Sequence, residues 1–551
     1  MIKTSSLVSI SALPSRLTLA TTAAPGASSA QMSMSTDGTS VSSSSTPSLP
    51  PFGQQPMLAS QRAKLQQRQK EKDEKMAQSE SNARQRSMMG FFPLGYKEAV
   101  HQWWTSVTPT QAERNVLNLI PHLREATTSS PSLTTLDAAP SDPFGQRIWR
   151  STMVPLPGKN RALNEFSVER VGEEADETLV MLHGYGAGLG FFYRNYEPLS
   201  RSPGWKIYSL DMLGMGNSAR PPFKIRAKDP QGKITEAENW FIDALEDWRQ
   251  ARKIEKFTLL GHSLGGYLAV SYALKYPGHL NKLILASPAG IPEDPYAVNA
   301  AMPEPEESSF QNEFTQGQEG IVNPDANENT DTLTKVGSNN KAAAAKSGSN
   351  PPKRPIPGWL VYLWDANVSP FSLVRLAGPL GPRFVSGWTS RRFNHLPSNE
   401  SQVLHDYSYS LFRQKGSGEY ALPYLLAPGA FARSPVINRI DQVGRQIIRP
   451  ATETEPALRE TGIPVVLMYG ESDWMDVGAG YAAEEKLKAR VVKALLHGTD
   501  EEKRRENGSA KVVVVRKAGH HLYLDNPDEF NEAVLREMRD TREYHKRQRG
   551  S

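Results

Sequence analysis

The sequence predicts an α/β fold with a mostly parallel central sheet, helices on both faces and a helical cap. Two observations lead to this prediction. Short runs of apolar and β-branched residues, such as 257–260 and 463–469, have the length and composition of buried strands. Each run is followed by a Gly-containing turn, and the first turn leads into the helix-forming stretch Tyr267–Val270. Strands that alternate with helices in this way form parallel sheets.

The turn after the strand at 257–260 reads GHSLG over residues 261–265. Glycines lie two residues before and two residues after Ser263, and a sharp strand-to-helix turn requires small residues there because bulky side chains would collide. Such a turn exposes the serine hydroxyl and orients the amide of Leu264 toward an oxyanion. Ser263 is therefore the candidate nucleophile and Leu264 a candidate oxyanion donor. His262 is expected only to pack beside the serine.

An upstream strand, Glu177–Leu182, ends in the segment HGYG at residues 183–186. The glycines of this segment let its backbone approach a substrate carbonyl closely. We therefore expect the amide of Tyr185 to be the second oxyanion donor, with His183 bracing the loop. The next strand, Trp205–Leu210, runs into the Gly-rich loop 211–218, which is expected to shape the site.

Acidic and imidazole side chains follow the last two predicted strands. Asp473 lies three residues after the Gly that closes strand 463–469, which makes it the expected triad acid, and Asp476 is the alternative. Strand Lys511–Arg516 leads to His520, the expected general base, with His521 as a neighbour. The carboxylate would hold the tautomer of the base. The chain order serine, acid, histidine is typical of the α/β-hydrolase fold.

Residues 520–525 read HHLYLD, an HxxxxD motif that begins at His520 and ends at Asp525. GHSLGGYLAVSYALKYP occupies 261–277, and the cap region contains SPF at 369–371, VRLAGPLGP at 374–382 and PGAFARSP at 428–435. With these motifs the chain resembles the lipid-acting α/β-hydrolases that include the fungal mitochondrial cardiolipin-specific deacylase, the animal lipase coactivator and its N-acyl-phospholipid lipase relative. The resemblance covers about residues 90–545, apart from inserts.

The resemblance implies a serine acyl hydrolase that deacylates phospholipids, above all mitochondrial cardiolipin, to monolysocardiolipin and fatty acid. The coactivator branch lacks the elbow serine, so Ser263 favours a working hydrolase. The first alternative is a lysophosphatidic acid acyltransferase, an activity attributed in this family to the HxxxxD motif with acyl-CoA as donor. Asp525 also has a structural interpretation, as a loop carboxylate near the start of the final helix. The second alternative is a non-catalytic lipase regulator on lipid surfaces.

Composition limits the classes of function. The chain has 551 residues, 38% of them hydrophobic, with a mean hydropathy of −0.51, so long stretches are expected to be solvated. It has no cysteine, which excludes disulfides and thiolate metal sites, and neither a metal nor a cofactor is expected. A net charge of +5 without a recognisable binding motif gives no indication of a nucleic-acid partner.

Changes in composition along the chain predict its organisation. We expect a disordered N-terminal region with a charged linker at 1–86, an aromatic membrane-contact and helical segment at 87–146, and the first part of the hydrolase core at 147–293. A disordered insert at 294–356, a helical cap at 357–440 and the second part of the core at 441–551 follow. That second part is expected to contain a disordered loop at about 494–510.

Lipid contact is expected to be peripheral, because no stretch reaches the roughly 18 to 20 apolar residues that a spanning helix needs. Residues 1–36 contain no acid and many Ser, Thr and Ala, a composition that favours a mitochondrial transit peptide, with the cytosol or a lipid droplet as the alternative location. Trp103 and Trp104 follow a basic segment, as in an interfacial anchor, although packing on the core is an equal alternative. Cap aromatics and arginines 375, 383, 391 and 392 are expected to form an acyl tunnel with a cationic rim.

Overall fold

A computed structural model describes residues 94–122, 142–295, 363–364, 366–455 and 457–550. All of them belong to one unit of the chain, Ala77–Ser551. Within these ranges, no helix has both the length and the apolar character needed to cross a bilayer. The expected transit peptide, the charged linker and nearly all of the expected insert at 294–356 lie outside the described residues.

The central sheet has eight strands, which are β1 (Arg147–Pro155), β2 (Ala162–Arg170), β3 (Glu177–Leu182), β4 (Trp205–Leu210), β5 (Phe257–His262), β6 (Leu280–Ala286), β11 (Pro464–Gly470) and β12 (Ser509–Val515). Their order in the sheet is β1-β2-β4-β3-β5-β6-β11-β12. Neighbouring strands from β4 to β12 run parallel, whereas β2 is antiparallel to both β1 and β4. The prediction of a mostly parallel sheet is therefore confirmed.

Both faces of the sheet are buried, and successive residues of each central strand enter opposite core clusters. In β3, Val180 and Leu182 join one cluster while Leu179 and Met181 join the other. This alternation follows from the twofold period of a strand. Because both faces are apolar, the central strands have the continuous hydrophobic composition from which they were predicted.

Helices cover the two faces and build the cap and the N-terminal segment. On the described residues these are α1 (Tyr96–Thr105), α2 (Pro109–Leu117), α3 (Tyr193–Leu199), α4 (Pro230–Ala251), α5 (Leu264–Lys275), α6 (Pro370–Leu376), α7 (Gly381–Arg392), α8 (Ser398–Phe412), α9 (Leu422–Leu425), α10 (Val477–His497), α11 (Asp500–Arg505), α12 (Leu522–Asp525) and α13 (Pro527–Gly550). Short strands β7 (Leu426–Ala427), β8 (Phe431–Ala432), β9 (Ile447–Arg449) and β10 (Leu458–Arg459) pair in two small ribbons.

The cap lies in the chain between β6 and β11 and contains helices α6 to α9. Helix α1 packs on this cap, where it contacts α7 and the 3₁₀ turn Gly378–Leu380. The amide of Leu94 donates to Ser386 Oγ at 2.9 Å, and Gln102 Nε2 donates to Asp406 Oδ1 at 2.6 Å. The N-terminal segment and the cap are therefore held together by buried and partly buried polar contacts.

One expectation about the core was wrong. Residues 494–510 are not a disordered loop, since α10 continues to His497 and α11 follows it. The reason is local, because Thr499 and Glu502 form a reciprocal capping box that satisfies the first amides of α11. The antiparallel strands β1 and β2 were not singled out from the sequence.

Candidate active site

Ser263 occupies the turn between β5 and α5 in a strained backbone conformation, with φ 52° and ψ −117°. Its amide donates to the carbonyl of Ala286 at 2.9 Å, and its own carbonyl accepts from the amides of Gly266 and Ala289. A β-carbon on Gly265 would lie 2.6 Å from the carbonyl oxygen of His183, so only glycine fits there. The tertiary contacts thus maintain a strained serine at the end of a central strand.

Asp473 and His520 meet at the same edge of the sheet. His520 Nδ1 lies 3.2 Å from Asp473 Oδ1, and the Asp473 side chain is completely buried. The same carboxylate accepts from the amide of Met475 at 3.1 Å and from the Ser287 hydroxyl. Asp476, the alternative acid, is an exposed residue that directly precedes helix α10.

The tautomer of His520 follows from these partners. A carboxylate only accepts, so Nδ1 carries the proton and Nε2 keeps its lone pair. Nε2 is buried and makes no hydrogen bond to any part of the chain that the structure describes. Nε2, on the edge of the ring away from Asp473, is therefore available to accept a proton, as a general base requires.

Two further imidazoles surround His520. The ring centroids of His262 and His521 lie 4.8 and 5.4 Å from that of His520, and His262 Nε2 donates to the carbonyl of His520 at 2.9 Å. Burial lowers the pKa of His262 and of His521 well below the ordinary value. Both rings are therefore neutral near pH 7 and do not compete with His520 for a proton.

The expected oxyanion loop lies beside the serine. A β-carbon on Gly184 would come within 3.0 Å of Ser263 Cβ, so the HGYG backbone passes directly next to it. His183 braces this loop, because its Nδ1 donates to the carbonyl of Gly184 at 2.7 Å and its Nε2 accepts from the amide of Met212. Tyr185 and Leu264 thus belong to the two backbone segments that flank Ser263.

A buried acidic cluster behind this loop was not predicted. Asp211 Oδ1 accepts from the amide of Leu189 at 2.7 Å, and its Oδ2 accepts from Asn164 Nδ2 at 2.8 Å. The same Asn164 nitrogen donates to Glu113 of α2, at 2.9 Å from Oε2. Burial, and then the charge of Asp211, raise the pKa of Glu113 to about 8. Helix α2 therefore supports the loop region through a shared amide.

The model of the alpha/beta hydrolase fold family matches residues 177–527, which is more than half of the chain. This chain belongs to the alpha/beta hydrolase fold family. A 1-acylglycerol-3-phosphate O-acyltransferase of Arabidopsis thaliana is 31% identical over 72% of this chain and 73% of its own length. The human (lyso)-N-acylphosphatidylethanolamine lipase is 28% identical over 70% of this chain and 86% of its own.

A crystal structure of a carboxylesterase from Bacillus subtilis is similar to this alpha/beta hydrolase, with 14% identity and a TM-score of 0.40 over 80% of this chain and 97% of the esterase. A solved membrane phospholipase A is 16% identical, with a TM-score of 0.34 over 72% of this chain and 87% of that one.

Aromatic rings of the alpha/beta hydrolase cap stack on Tyr185 of the expected oxyanion loop. Tyr185 stacks on Phe371 of α6 with centroids 5.1 Å apart, and Phe371 stacks on Phe412 of α8 at 4.5 Å. Trp388 of α7 contacts Phe412 at 5.4 Å. The cap thus places apolar surface next to the candidate nucleophile.

The expected cationic rim is largely engaged within the protein. Arg375 pairs with Glu419 at 2.6 Å, and Arg383 donates to the carbonyl of Leu94. Arg392 pairs with Asp525, the last residue of the HxxxxD motif, at 2.8 Å. Arg391 is exposed. Arg375 therefore makes a contact within the cap, whereas Arg383 and Arg392 connect the cap to other parts of the molecule.

Proposed function

We propose that this chain is a serine acyl hydrolase that deacylates phospholipids, with cardiolipin in mitochondria as its substrate. The observation that supports this most directly is the contact between Asp473 and His520 at 3.2 Å, at the sheet edge where Ser263 occupies its strained turn. A nucleophile, a base and an orienting acid in this arrangement carry out acyl transfer through an acyl-enzyme.

In the proposed reaction, Ser263 Oγ attacks the acyl ester carbonyl while His520 Nε2 takes the hydroxyl proton. The amides of Tyr185 and Leu264 stabilise the tetrahedral oxyanion. His520 then protonates the leaving alkoxide of the lysophospholipid, and Asp473 stabilises the imidazolium in between. A water molecule, deprotonated by the same base, releases the fatty acid and restores Ser263.

Exposed apolar side chains on the cap and on α1 support a lipid surface as the partner. Trp104 is 81% exposed and Leu376 is 84% exposed, and Tyr96, Leu373 and Phe384 are also exposed. We call these five residues the apolar surface. Helix α1 contacts α7, and α7 contacts α6, so the five side chains lie on neighbouring elements. Such a concentration of bulky apolar groups suits the interface of a membrane.

The second candidate is acyl transfer from acyl-CoA to lysophosphatidic acid, which the similarity to the Arabidopsis 1-acylglycerol-3-phosphate O-acyltransferase favours. In this site the same Ser263 would accept the acyl group and release the CoA thiol, and the lysolipid hydroxyl would replace water. The third candidate, a non-catalytic lipase regulator, explains neither the strained Ser263 nor the His520–Asp473 contact.

The test is to incubate the purified protein with cardiolipin, phosphatidylcholine, or lysophosphatidic acid plus acyl-CoA, and to follow lipids by mass spectrometry. Ser263→Ala is the control. Monolysocardiolipin formed only by the Ser263 protein would support the proposal. Formation of phosphatidic acid that depends on acyl-CoA, without release of lysolipid, would place the acyltransferase first. Equal turnover by Ser263→Ala would refute both.

A further inference from the structure

Asp525 of the HxxxxD motif contacts the cap rather than the catalytic imidazole. Its Oδ1 pairs with Arg392 Nη1 of α7 at 2.8 Å, and its Oδ2 accepts from the amide of Gly519 at 3.0 Å. Both side chains are buried, with 8% of Arg392 and 2% of Asp525 exposed. Gly519 directly precedes His520, so the carboxylate joins helix α7 to the backbone that carries the proposed base.

We propose that Arg392 and Asp525 are a positioning pair that fixes His520 for both hydrolysis and acyl transfer, and that Asp525 has no separate part in transfer. This inference rests on the proposed function of His520 as the base. The structure supports it by the three contacts that surround His520. The amide of Gly519, the residue before His520, donates to Asp525, and the His520 carbonyl accepts from His262. Arg392 Nε donates to Nδ1 of the next residue, His521, at 3.1 Å.

The charge of Arg392 contributes to the same arrangement. Burial, and then the charge of Arg392, lower the pKa of His521, so this ring stays neutral and can accept from the guanidinium. A neutral His521 next to the base leaves His520 as the imidazole that gains a proton during the reaction. The pair therefore fixes both the position of His520 and the charge of its neighbour.

A separate transferase role for Asp525 would require it to orient an imidazole. His520 Nδ1 already contacts Asp473, and the two oxygens of Asp525 accept from Arg392 and Gly519. The nearby imidazole of His395 keeps its Nε2 3.6 Å from Asp525 Oδ1, beyond hydrogen-bond distance. Transfer must then proceed through the same acyl-serine. The lysolipid hydroxyl would form the new ester bond as the bond between Ser263 Oγ and the acyl carbon breaks, with its proton passing to His520 and then to Ser263. Asp525 should influence both reactions equally.

The test compares Asp525→Asn, Arg392→Met, Arg392→Lys and the double variant R392M/D525N. Lys282→Met is the matched control, since Lys282 and Glu537 form an equally buried pair at 2.9 Å near the other end of the strands. For each protein we would measure Tm, kcat and KM for hydrolysis and transfer, and the rate at which a fluorophosphonate labels Ser263. This labelling needs an activated serine but no lipid.

We expect Asp525→Asn and Arg392→Met to lower kcat and the labelling rate between about tenfold and about a hundredfold, with KM little changed, because a misplaced base slows the chemical step. The ratio of transfer to hydrolysis should stay constant. Arg392→Lys should recover part of kcat, because an ammonium can reach one partner but cannot form the two-pronged contact. Lys282→Met should lower Tm by less, because Lys511 still pairs with Glu537, and should keep kcat.

The double variant R392M/D525N separates loss of activity from loss of stability, because it leaves no buried charge without a partner. Its Tm should exceed that of either single variant while its kcat stays low. Loss of transfer alone in Asp525→Asn would overturn the proposal, as would wild-type labelling in Arg392→Met, or equal loss of kcat in Lys282→Met. If the lipid assignment alone were wrong, labelling would still follow the expected order, so the two failures are distinguishable.

Discussion

The two ends of the parallel strands each bury an ion pair, but in different surroundings. At the carboxyl end, Arg392 of the cap pairs with Asp525 and donates to His521, whose ring contacts those of His262 and His520. Near the amino end, Lys282 pairs with Glu537 of α13, which Lys511 also reaches at 2.6 Å. In the first case both partners also contact the loop that carries His520. In the second, the pair only joins β6 to the final helix.

The difference shows why burial of charge does not by itself indicate a function. Taking a pair of charges out of water costs about as much as their attraction returns, so neither pair is explained by stability alone. The carboxyl end differs because its charged pair also makes polar contacts with the loop of the proposed base. Arg392 donates to the His521 ring, and Asp525 accepts from the amide of Gly519. Parallel α/β sheets bind their ligands at this end, and the candidate site follows that rule.

The largest effect that would sharpen this contrast is expected at Asp473. Asp473→Asn should lower kcat on the order of 10³-fold or more, because an amide can donate and so favours the wrong tautomer of His520. Asp476→Asn should leave kcat within about twofold, since this residue is exposed and precedes a helix. Steady-state kinetics on a soluble ester would measure both. A larger loss in Asp476→Asn would show that the acid is misassigned.

The local parts of this end of the sheet were predictable from the sequence. The strand, turn and helix around Ser263 are contiguous, and so is the strand that leads to His520, so composition alone identified them. The same holds for the mostly parallel sheet, whose buried strands read as apolar runs. The capping box at Thr499 and Glu502 is also a local sequence pattern that predicts a helix. The polar composition around it instead led to the prediction of a disordered loop.

The long-range contacts were not predictable. Arg392 and Asp525 are 133 residues apart, and Glu113 lies 104 residues before Asn217, its second amide donor, at 2.8 Å. Nothing in the neighbouring sequence distinguishes such a buried charge from a solvated one on a helix face. Tertiary packing decides this, and a single sequence does not encode packing in its local pattern.

A second contrast concerns the outer surface of the two ends. Leu376 of the apolar surface lies on the cap, whereas Leu496, 67% exposed, lies in the last turn of helix α10. Leu376→Ser should weaken binding to cardiolipin-containing vesicles about tenfold, the value of burying one leucine side chain. Leu496→Ser is the matched control and should leave binding unchanged. Vesicle flotation measures both, and equal losses would remove the distinction between the two surfaces.

The smallest expected effect is on the pH dependence of stability. It tests whether the buried carboxyl group of Glu113, near the carboxyl end of the strands, is protonated in the folded protein. With burial as the main cause, the pKa of Glu113 is raised from its ordinary 4.5 to about 8. The folded protein therefore binds a proton that the unfolded chain releases between these values. The contribution of Glu113 to stability is complete below pH 4.5 and is lost as the pH rises to about 8.

Glu113→Gln keeps the shape and cannot ionise, so its Tm should fall less than that of the wild type between pH 6 and pH 9. Lys282→Met should follow the wild-type slope over this range, because it retains Glu113. Parallel slopes for wild type and Glu113→Gln would mean that Glu113 is ionised in the folded protein. In that case Glu113 and Asp211 would both be charged around Asn164, and the cluster would be a site of stored electrostatic strain rather than a singly charged support for residues 183–186.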